Sequence, residues 1–202
     1  MQGLLVLSAW IDRLSLFVGH AVRWLVLASV LISAGNAVMR KAFNVGSNAY
    51  LEVQWYLFSA VFLLGAGYVF LKNAHVRIDF ISGKLSPRTN ALVDIIGILL
   101  VIVPLCWMLI SLSWPVFHNA WVSGEMSSNS GGLIRWPVYG LIPLGFAILA
   151  LQGASELIKR LAFLTGAGPD VLAHAEVSDE EKLAQELAEE AEKEAARAAK
   201  VN

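Results

Sequence analysis

Four long stretches of the chain contain no charged residue: 24–39, 53–71, 95–124 and 136–155. An α-helix needs about 20 mostly apolar residues to cross a hydrocarbon core about 30 Å thick. The last three stretches reach that length unaided. The first reaches it when His20 and Arg23 are included, with the Arg23 side chain extended toward the headgroups. The pattern predicts an all-α membrane protein whose four transmembrane helices lie at about 16–39, 52–72, 91–114 and 136–158.

Composition supports this prediction and divides the chain into three parts. Hydrophobic residues make up 57% of the 202 and charged residues 15%, which leaves too little polar surface for a soluble domain of this size. The net charge of −1 splits into +4 for residues 1–175 and −5 for residues 176–202. We therefore predict a cytoplasmic or interfacial segment over 1–13, a four-helix transmembrane domain over 14–165 and an acidic, helical cytoplasmic tail over 166–202.

The distribution of basic residues predicts the orientation. Four crossings place both termini on one side, and cytoplasmic loops carry the excess of Lys and Arg. Seven basic residues lie on the side of the termini: Arg13, Lys72, Arg77, Lys84, Arg88, Lys159 and Arg160. Three lie on the other side: Arg40, Lys41 and Arg135. The count favours N-in and C-in.

The inner connection between helices two and three, residues 72–90, has its own pattern. Apolar Ile78, Ile81 and Leu85 recur at helical spacing among basic residues, which predicts a short amphipathic segment in the headgroup layer. Ser86-Pro87 has the order of an N-cap followed by proline at the first helical position. The third helix is therefore expected to begin there.

The outer connections hold the remaining polar residues. Arg40 and Glu52 flank the first of them and either pair across it or stand as separate interfacial charges. The second, residues 114–136, is a polar loop whose edges carry Trp114, Trp121 and Trp136, residues that favour the membrane interface. Pro104 and Pro143 lie inside helices three and four, where each is expected to kink or widen its helix.

No catalytic constellation is present, so no enzyme activity, cofactor or nucleic-acid partner is expected. The alternative class is a haem-binding anchor subunit of a redox complex, which is also a small four-helix membrane bundle. Such a site needs two facing histidines. His20 and His118 are predicted at opposite membrane faces, and His75 lies beyond Lys72, outside the hydrocarbon.

Several short motifs resemble one transporter family. Asn36 and Arg40 close the first helix; Glu52-Val53-Gln54-Trp55-Tyr56-Leu57-Phe58, Leu63-Leu64-Gly65-Ala66 and His75-Val76-Arg77-Ile78-Asp79 follow. Later come Glu125-Met126-Ser127-Ser128, Gly131-Gly132-Leu133, Trp136-Pro137 and Leu141-Ile142-Pro143-Leu144-Gly145. Over about residues 14–160 the chain resembles the small, Q-type (DctQ-like) membrane subunit of tripartite ATP-independent periplasmic (TRAP) transporters. The acidic tail departs from the family pattern.

The resemblance implies a scaffold subunit in the bacterial inner membrane that serves secondary-active uptake of an organic acid or related solute. Its partners would be a large ion-coupled permease subunit, a periplasmic solute-binding protein and membrane lipids. The residues expected at partner or lipid interfaces are Arg40, Glu52, Trp55, Gly65, His75, Arg77, Asp79, Glu125 and Trp136. For 75–79 the alternative is a basic cluster attracted to anionic lipid, and for 125–133 an ordinary polar loop.

Overall fold

The structure, a computed structural model, describes residues 1–44, 46–73, 85–169 and 187. In these residues the chain forms four long helices: α1 (Gln2–Phe43), α2 (Asn48–Leu71), α3 (Pro87–Ser123) and α4 (Trp136–Leu164). The described part contains no strand, only one isolated antiparallel bridge between Met126 and Ile134. All four helices are long and apolar enough to span a membrane, which confirms the prediction of an all-helical, four-span protein.

Helix α1 is much longer than the predicted span of 16–39. It begins at Gln2 and its 42 residues extend about 63 Å, twice the hydrocarbon thickness. The charge-free stretch marks only its middle. Asp12 does not interrupt the helix because its carboxylate is bound by side chains of α4, including Ser155 at 2.7 Å.

Helix α3 begins where the sequence predicts and changes its winding near a proline. Ser86 caps it, its hydroxyl oxygen accepting from the Thr89 backbone N–H at 3.2 Å. Over Ile98–Ile102 the helix is a π-helix, in which the Val103 N–H bonds to the Ile98 carbonyl five residues back. Pro104 has no N–H and its ring crowds the preceding turn, so a wider turn ahead of it is the expected adjustment.

In space the helices are neighbours in the order α1, α2, α4, α3, and the first part of α1 also crosses α4. Glycines permit the closest approaches. A Cβ added at Gly145 of α4 would lie 2.8 Å from the Leu63 carbonyl oxygen of α2, and one at Gly19 of α1 would lie 2.3 Å from the Tyr68 ring. Within the described residues α3 packs mainly on α4.

The buried and exposed faces are reversed relative to a soluble protein. Along α1 the buried residues are Ser8, Ile11, Ser15 and Gly19. The exposed ones include Trp10, Phe17 and Trp24, at 64%, 73% and 72% exposure. Large apolar side chains on the outside and small or polar ones inside are what a helix needs when lipid or another membrane protein surrounds it.

Two predicted elements lie outside the described residues. The amphipathic segment between helices two and three falls mainly on 74–84, and nearly all of the acidic tail falls on 170–202.

Candidate functional site

The loop between α3 and α4, residues 125–135, is folded into a compact turn. The Ser127 N–H donates to the Leu133 carbonyl and the Arg135 N–H to the Glu125 carbonyl, both at 2.9 Å. Gly131 takes a φ of 71°, in the left-handed region that favours glycine. The polar loop predicted from the sequence is therefore an ordered element; we call it the outer loop, after the orientation that the sequence predicts.

Glu52, in the first turns of α2, holds the outer loop against the helix bundle. Its carboxylate accepts hydrogen bonds from the Ser127 hydroxyl, the Asn129 side-chain amide at 2.8 Å and the Leu133 backbone N–H at 2.7 Å. The Tyr56 hydroxyl, one turn further along α2, donates to the Ile134 carbonyl at 2.9 Å. A carboxylate with three donors is a strong anchor, because hydrogen bonds to an ionised group are stronger than neutral ones.

Glu52 therefore fits neither alternative drawn from the sequence. It is 7% exposed and forms no ion pair with Arg40 in the described part of the chain. The Arg40 side chain is exposed and runs past the turn at Gly46. The described residues form no ion pair between Arg40 and Glu52, and the donors to the Glu52 carboxylate come from the second outer connection instead.

Glu125, Arg135 and Trp136 close the base of the outer loop. Arg135 Nε lies 3.7 Å from Glu125 Oε1, and its Nη1 donates to the Tyr139 hydroxyl at 3.2 Å. That hydrogen bond raises the pKa of Arg135, which therefore keeps its charge. The Trp136 ring packs edge-on against Trp121 with centroids 4.4 Å apart, which joins the ends of α3 and α4.

An aromatic stripe runs down α2 below the outer loop. It consists of Trp55, Phe58 and Phe62, at 73%, 70% and 74% exposure, spaced so that they share one helix face. The stripe borders a cavity of about 770 Å³ between α2 and α4, roofed by outer-loop residues. Three large aromatic side chains on one open face form an apolar surface that needs lipid or a partner to cover it.

The small residues of α2 are used within the chain. Gly67 is buried, and a Cβ there would lie 2.9 Å from the Ile148 side chain. Gly65 faces α1, where a Cβ would lie 3.8 Å from Val22. Gly67 therefore permits a close approach of α2 to α4, whereas the site of Gly65 has room for a Cβ.

A second polar cluster, which the sequence analysis missed, joins α1 to α4 near the opposite end of the bundle. Asp12 Oδ1 accepts from the Ser155 hydroxyl at 2.7 Å and the Gln152 amide at 2.9 Å, and its Oδ2 lies 3.2 Å from Lys159 Nζ. The Ser15 hydroxyl donates to Gln152 Oε1 at 2.7 Å. We call these residues, with Ser8, Glu156, Arg160 and Asp94, the inner network.

The inner network continues from α4 to the start of α3. Glu156 pairs with Lys159 and lies 3.5 Å from Arg160 Nη2, while Arg160 Nε lies 3.0 Å from Asp94 Oδ2. Gln152 and Ser155, two polar residues at the end of the fourth charge-free stretch, were the available signal. Their partners were not readable, because they come from α1 residues 137 or more positions away.

The other residues singled out in the sequence are placed as follows. His75, Arg77 and Asp79 lie outside the described residues. His20 is close to Tyr68 near one end of α2, and its Nδ1 lies 2.6 Å from the Leu16 carbonyl oxygen. His118 is exposed near the far end of α3. The two histidines do not face each other, so this arrangement gives the haem-anchor alternative no support.

Comparison with known proteins agrees with this architecture. Residues 29–163 match the family described as "Tripartite ATP-independent periplasmic transporters, DctQ component". The chain belongs to this family. It is thus a small membrane subunit of a TRAP transporter, a transporter component that works with other subunits of a tripartite assembly, and a multi-pass membrane protein. No curated protein and no solved structure matches the chain.

Proposed function

We propose that this TRAP subunit is a fixed scaffold in the bacterial inner membrane, oriented N-in and C-in. It stabilises the large permease subunit, which carries out ion-coupled, secondary-active uptake of an organic acid or related solute. A periplasmic solute-binding protein delivers that solute. The chain itself neither binds the solute nor moves it.

One observation carries this proposal: the charged groups of the described residues lie toward the two ends of the bundle. The outer loop is held by Glu52 at one end and the inner network joins three helices at the other. Between them the exposed faces of the helices are predominantly apolar. A transporter that moves solute itself usually keeps ionisable or broken-helix sites near the bilayer midplane. A bundle fastened at both ends instead suits a part that stays still.

The permease is proposed to dock on the aromatic stripe of α2. Trp55, Phe58 and Phe62 present a large rigid apolar area, and the adjoining cavity offers a recess for a side chain from the partner. Membrane lipid covers the remaining apolar faces.

The outer loop is proposed to face the solute-binding protein. Glu125 and Arg40 are exposed and charged, so they suit a transient polar contact, while Glu52 and Trp136 hold the loop in shape. On the inner side, His75, Arg77 and Asp79 are proposed to anchor the chain to lipid headgroups or to the permease.

The scaffold role is tested by uptake of radiolabelled solute in cells that lack only this chain. We expect uptake to be lost and the permease to be recovered in lower amount, since its stabilising partner is missing. Full solute accumulation by the permease and binding protein without this chain would contradict the proposal.

The docking surface is tested by the triple variant Trp55→Ala, Phe58→Ala and Phe62→Ala. We expect co-purification of the permease to fall about tenfold or more, as for loss of several aromatic anchors. The matched control is Phe17→Ala, Trp24→Ala and Leu31→Ala, an exposed stripe on α1. If both variants are present in the membrane in equal amounts and lose permease co-purification equally, the aromatic stripe of α2 is not the specific docking surface.

A further inference from the structure

A cavity of about 330 Å³ lies beside the inner network, where α2 ends, α3 begins and α4 approaches its end. Its charged wall is formed by Asp94, Glu156 and Arg160. Apolar side chains, among them Phe70, Val101 and Ile102, form much of the rest. The cavity thus combines a charged side with an apolar side, and it is separate from the aromatic stripe and the outer loop.

Two ionised side chains on the charged wall have unused hydrogen-bonding capacity. Arg160 is 3% exposed. Within the described part of the chain its Nη1 has no hydrogen-bond partner. Its Nε lies 3.0 Å from Asp94 Oδ2 but is not aligned for a hydrogen bond. Glu156 is 2% exposed, and its Oε2 lies 3.5 Å from Arg160 but accepts no hydrogen bond there. A buried guanidinium or carboxylate left in this state is costly. A bound molecule that both accepts from Arg160 and donates to Glu156 would remove that cost.

The charged wall of the cavity lies close to the ends of two helices that are long and apolar enough to span a membrane. Arg160 is four residues before the end of α4, about 6 Å along the axis, and Asp94 is seven residues after the start of α3. Both positions are close to the ends of apolar spans. A molecule held there meets charged groups on one side and apolar groups on the other. A phospholipid has the same division at the boundary between its headgroup and its acyl chains.

We propose that this cavity binds the headgroup of a phospholipid carrying a primary ammonium group, such as phosphatidylethanolamine. The phosphate accepts hydrogen bonds from Arg160, and the ammonium donates to Glu156. One acyl chain lies along the apolar wall. This inference does not depend on the scaffold role, because it concerns the chain and lipid alone.

The charges on the wall favour this lipid over the other common classes. The charged members of the inner network are three carboxylates and two cations, and two of the three charged residues that line the cavity are carboxylates, so at this wall a headgroup with a net negative charge is disfavoured. The trimethylammonium of phosphatidylcholine carries no N–H and cannot donate to a carboxylate oxygen. A primary ammonium has three N–H donors in a compact group, as a lysine side chain does.

The test is native mass spectrometry of the purified full chain with lipids of matched acyl chains. The probes are phosphatidylethanolamine, its mono- and dimethylated forms, phosphatidylcholine and phosphatidylglycerol, with soluble glycerophosphoethanolamine as a tail-free headgroup. We expect retention to be highest for phosphatidylethanolamine and to fall with each added methyl group. Retention of phosphatidylglycerol and of the tail-free headgroup should be lower by about tenfold or more. Phosphatidylglycerol lacks the ammonium that contacts Glu156, and the tail-free headgroup lacks the acyl chain that contacts the apolar wall.

Two variants locate the site. Arg160→Lys keeps the positive charge but removes the planar guanidinium, which can donate two parallel hydrogen bonds to a phosphate. Gly97→Leu fills the cavity from α3, where an added Cβ has no neighbour within 4 Å, and leaves every charged residue in place. Both should abolish the lipid preference. Gly35→Leu on α1, also without a neighbour within 4 Å, is the matched control and should retain it.

Three results would overturn the proposal. The first is equal retention of all the lipids by the unaltered chain, and the second is an undiminished preference in Gly97→Leu. The third is retention of the tail-free headgroup as strong as that of the lipid. Cross-linking of this cavity to the permease, with no lipid preference in the chain alone, would assign Arg160 to a protein contact instead.

Discussion

Glu52 illustrates how much one charged residue at a membrane boundary can organise. It sits on α2 near the end of an apolar span, where a solvated carboxylate would normally face the headgroups. Three donors from the outer loop surround it instead: a hydroxyl, a side-chain amide and a backbone N–H. Because these donors are spread over residues 127–133, loss of the charge should loosen the whole loop.

The first prediction concerns this residue. Glu52→Gln keeps the size of the side chain but replaces an ionised acceptor by a neutral amide with only one acceptor oxygen. Backbone amides of residues 125–135 should then exchange hydrogen several-fold faster, measured by hydrogen exchange with mass spectrometry. Glu125→Gln is the control, because Glu125 is more exposed and lies 3.7 Å from Arg135. Unchanged exchange in Glu52→Gln would show that the backbone turn alone orders the loop.

Sequence reasoning recognised Glu52 but offered only two alternatives for it, a pair with Arg40 or a separate interfacial charge. Arg40 is close in sequence and of opposite charge, so it was the natural candidate. The actual donors lie 75 or more positions away. A local pattern can mark a residue as important, but only the packing of α3 and α4 beside α2 brings those donors to it.

At the scale of elements, α1 has two parts with different neighbours. The longer part packs along α2, and the first turns cross α4 through Ser8, Asp12 and Ser15. Gln152 is fully buried at this crossing and binds both Asp12 and Ser15. The crossing therefore depends on a polar contact in addition to apolar packing.

The second prediction tests this crossing. Gln152→Leu removes one donor from Asp12 and the acceptor of Ser15, so the chain should lose about 1–2 kcal/mol of stability against unfolding in detergent. Leu151→Ala, on the exposed neighbouring position, should change stability much less. The measurement is a chemical or thermal unfolding curve followed by circular dichroism. Stability equal to that of the control would mean that apolar contacts alone hold α1 on α4.

The third prediction concerns the contact between α2 and α4. Gly145→Leu would place a Cβ 2.8 Å from the backbone and side chain of Leu63, so the helices must separate. Overpacking of this kind costs about 1–3 kcal/mol, which thermal unfolding of the purified protein would detect. Gly35→Leu has no neighbour within 4 Å and serves as the control. A melting temperature equal to that of the control would indicate that α2 and α4 slide apart freely.

At the scale of the whole molecule, the helices form an open arrangement rather than a closed bundle. Within the described residues α3 packs mainly on α4, and α2 exposes its aromatic stripe beside an open cavity. An open arrangement leaves two large faces for neighbours, which accords with a subunit of a larger assembly.

The fourth prediction concerns orientation. If the positive-inside count is right, a reporter fused after Asn202 will be active in the cytoplasm and a reporter inserted at Ser128 will be active in the periplasm. Paired alkaline phosphatase and green fluorescent protein fusions give opposite signals on the two sides. A C-terminal fusion that reports a periplasmic location would reverse the proposed faces of the outer loop and the inner network.

Local sequence was sufficient to predict that this is a membrane protein with four long helices, that Ser86 caps α3, and which family the chain belongs to. Each depends on residues adjacent along the chain, because transfer into lipid sums over one continuous apolar stretch and a cap needs only the next turn. The full length of α1, the three donors around Glu52 and the inner network were decided by the tertiary structure. These depend on where helices cross, and a buried polar side chain is stabilised only by partners that the crossing brings within hydrogen-bond distance.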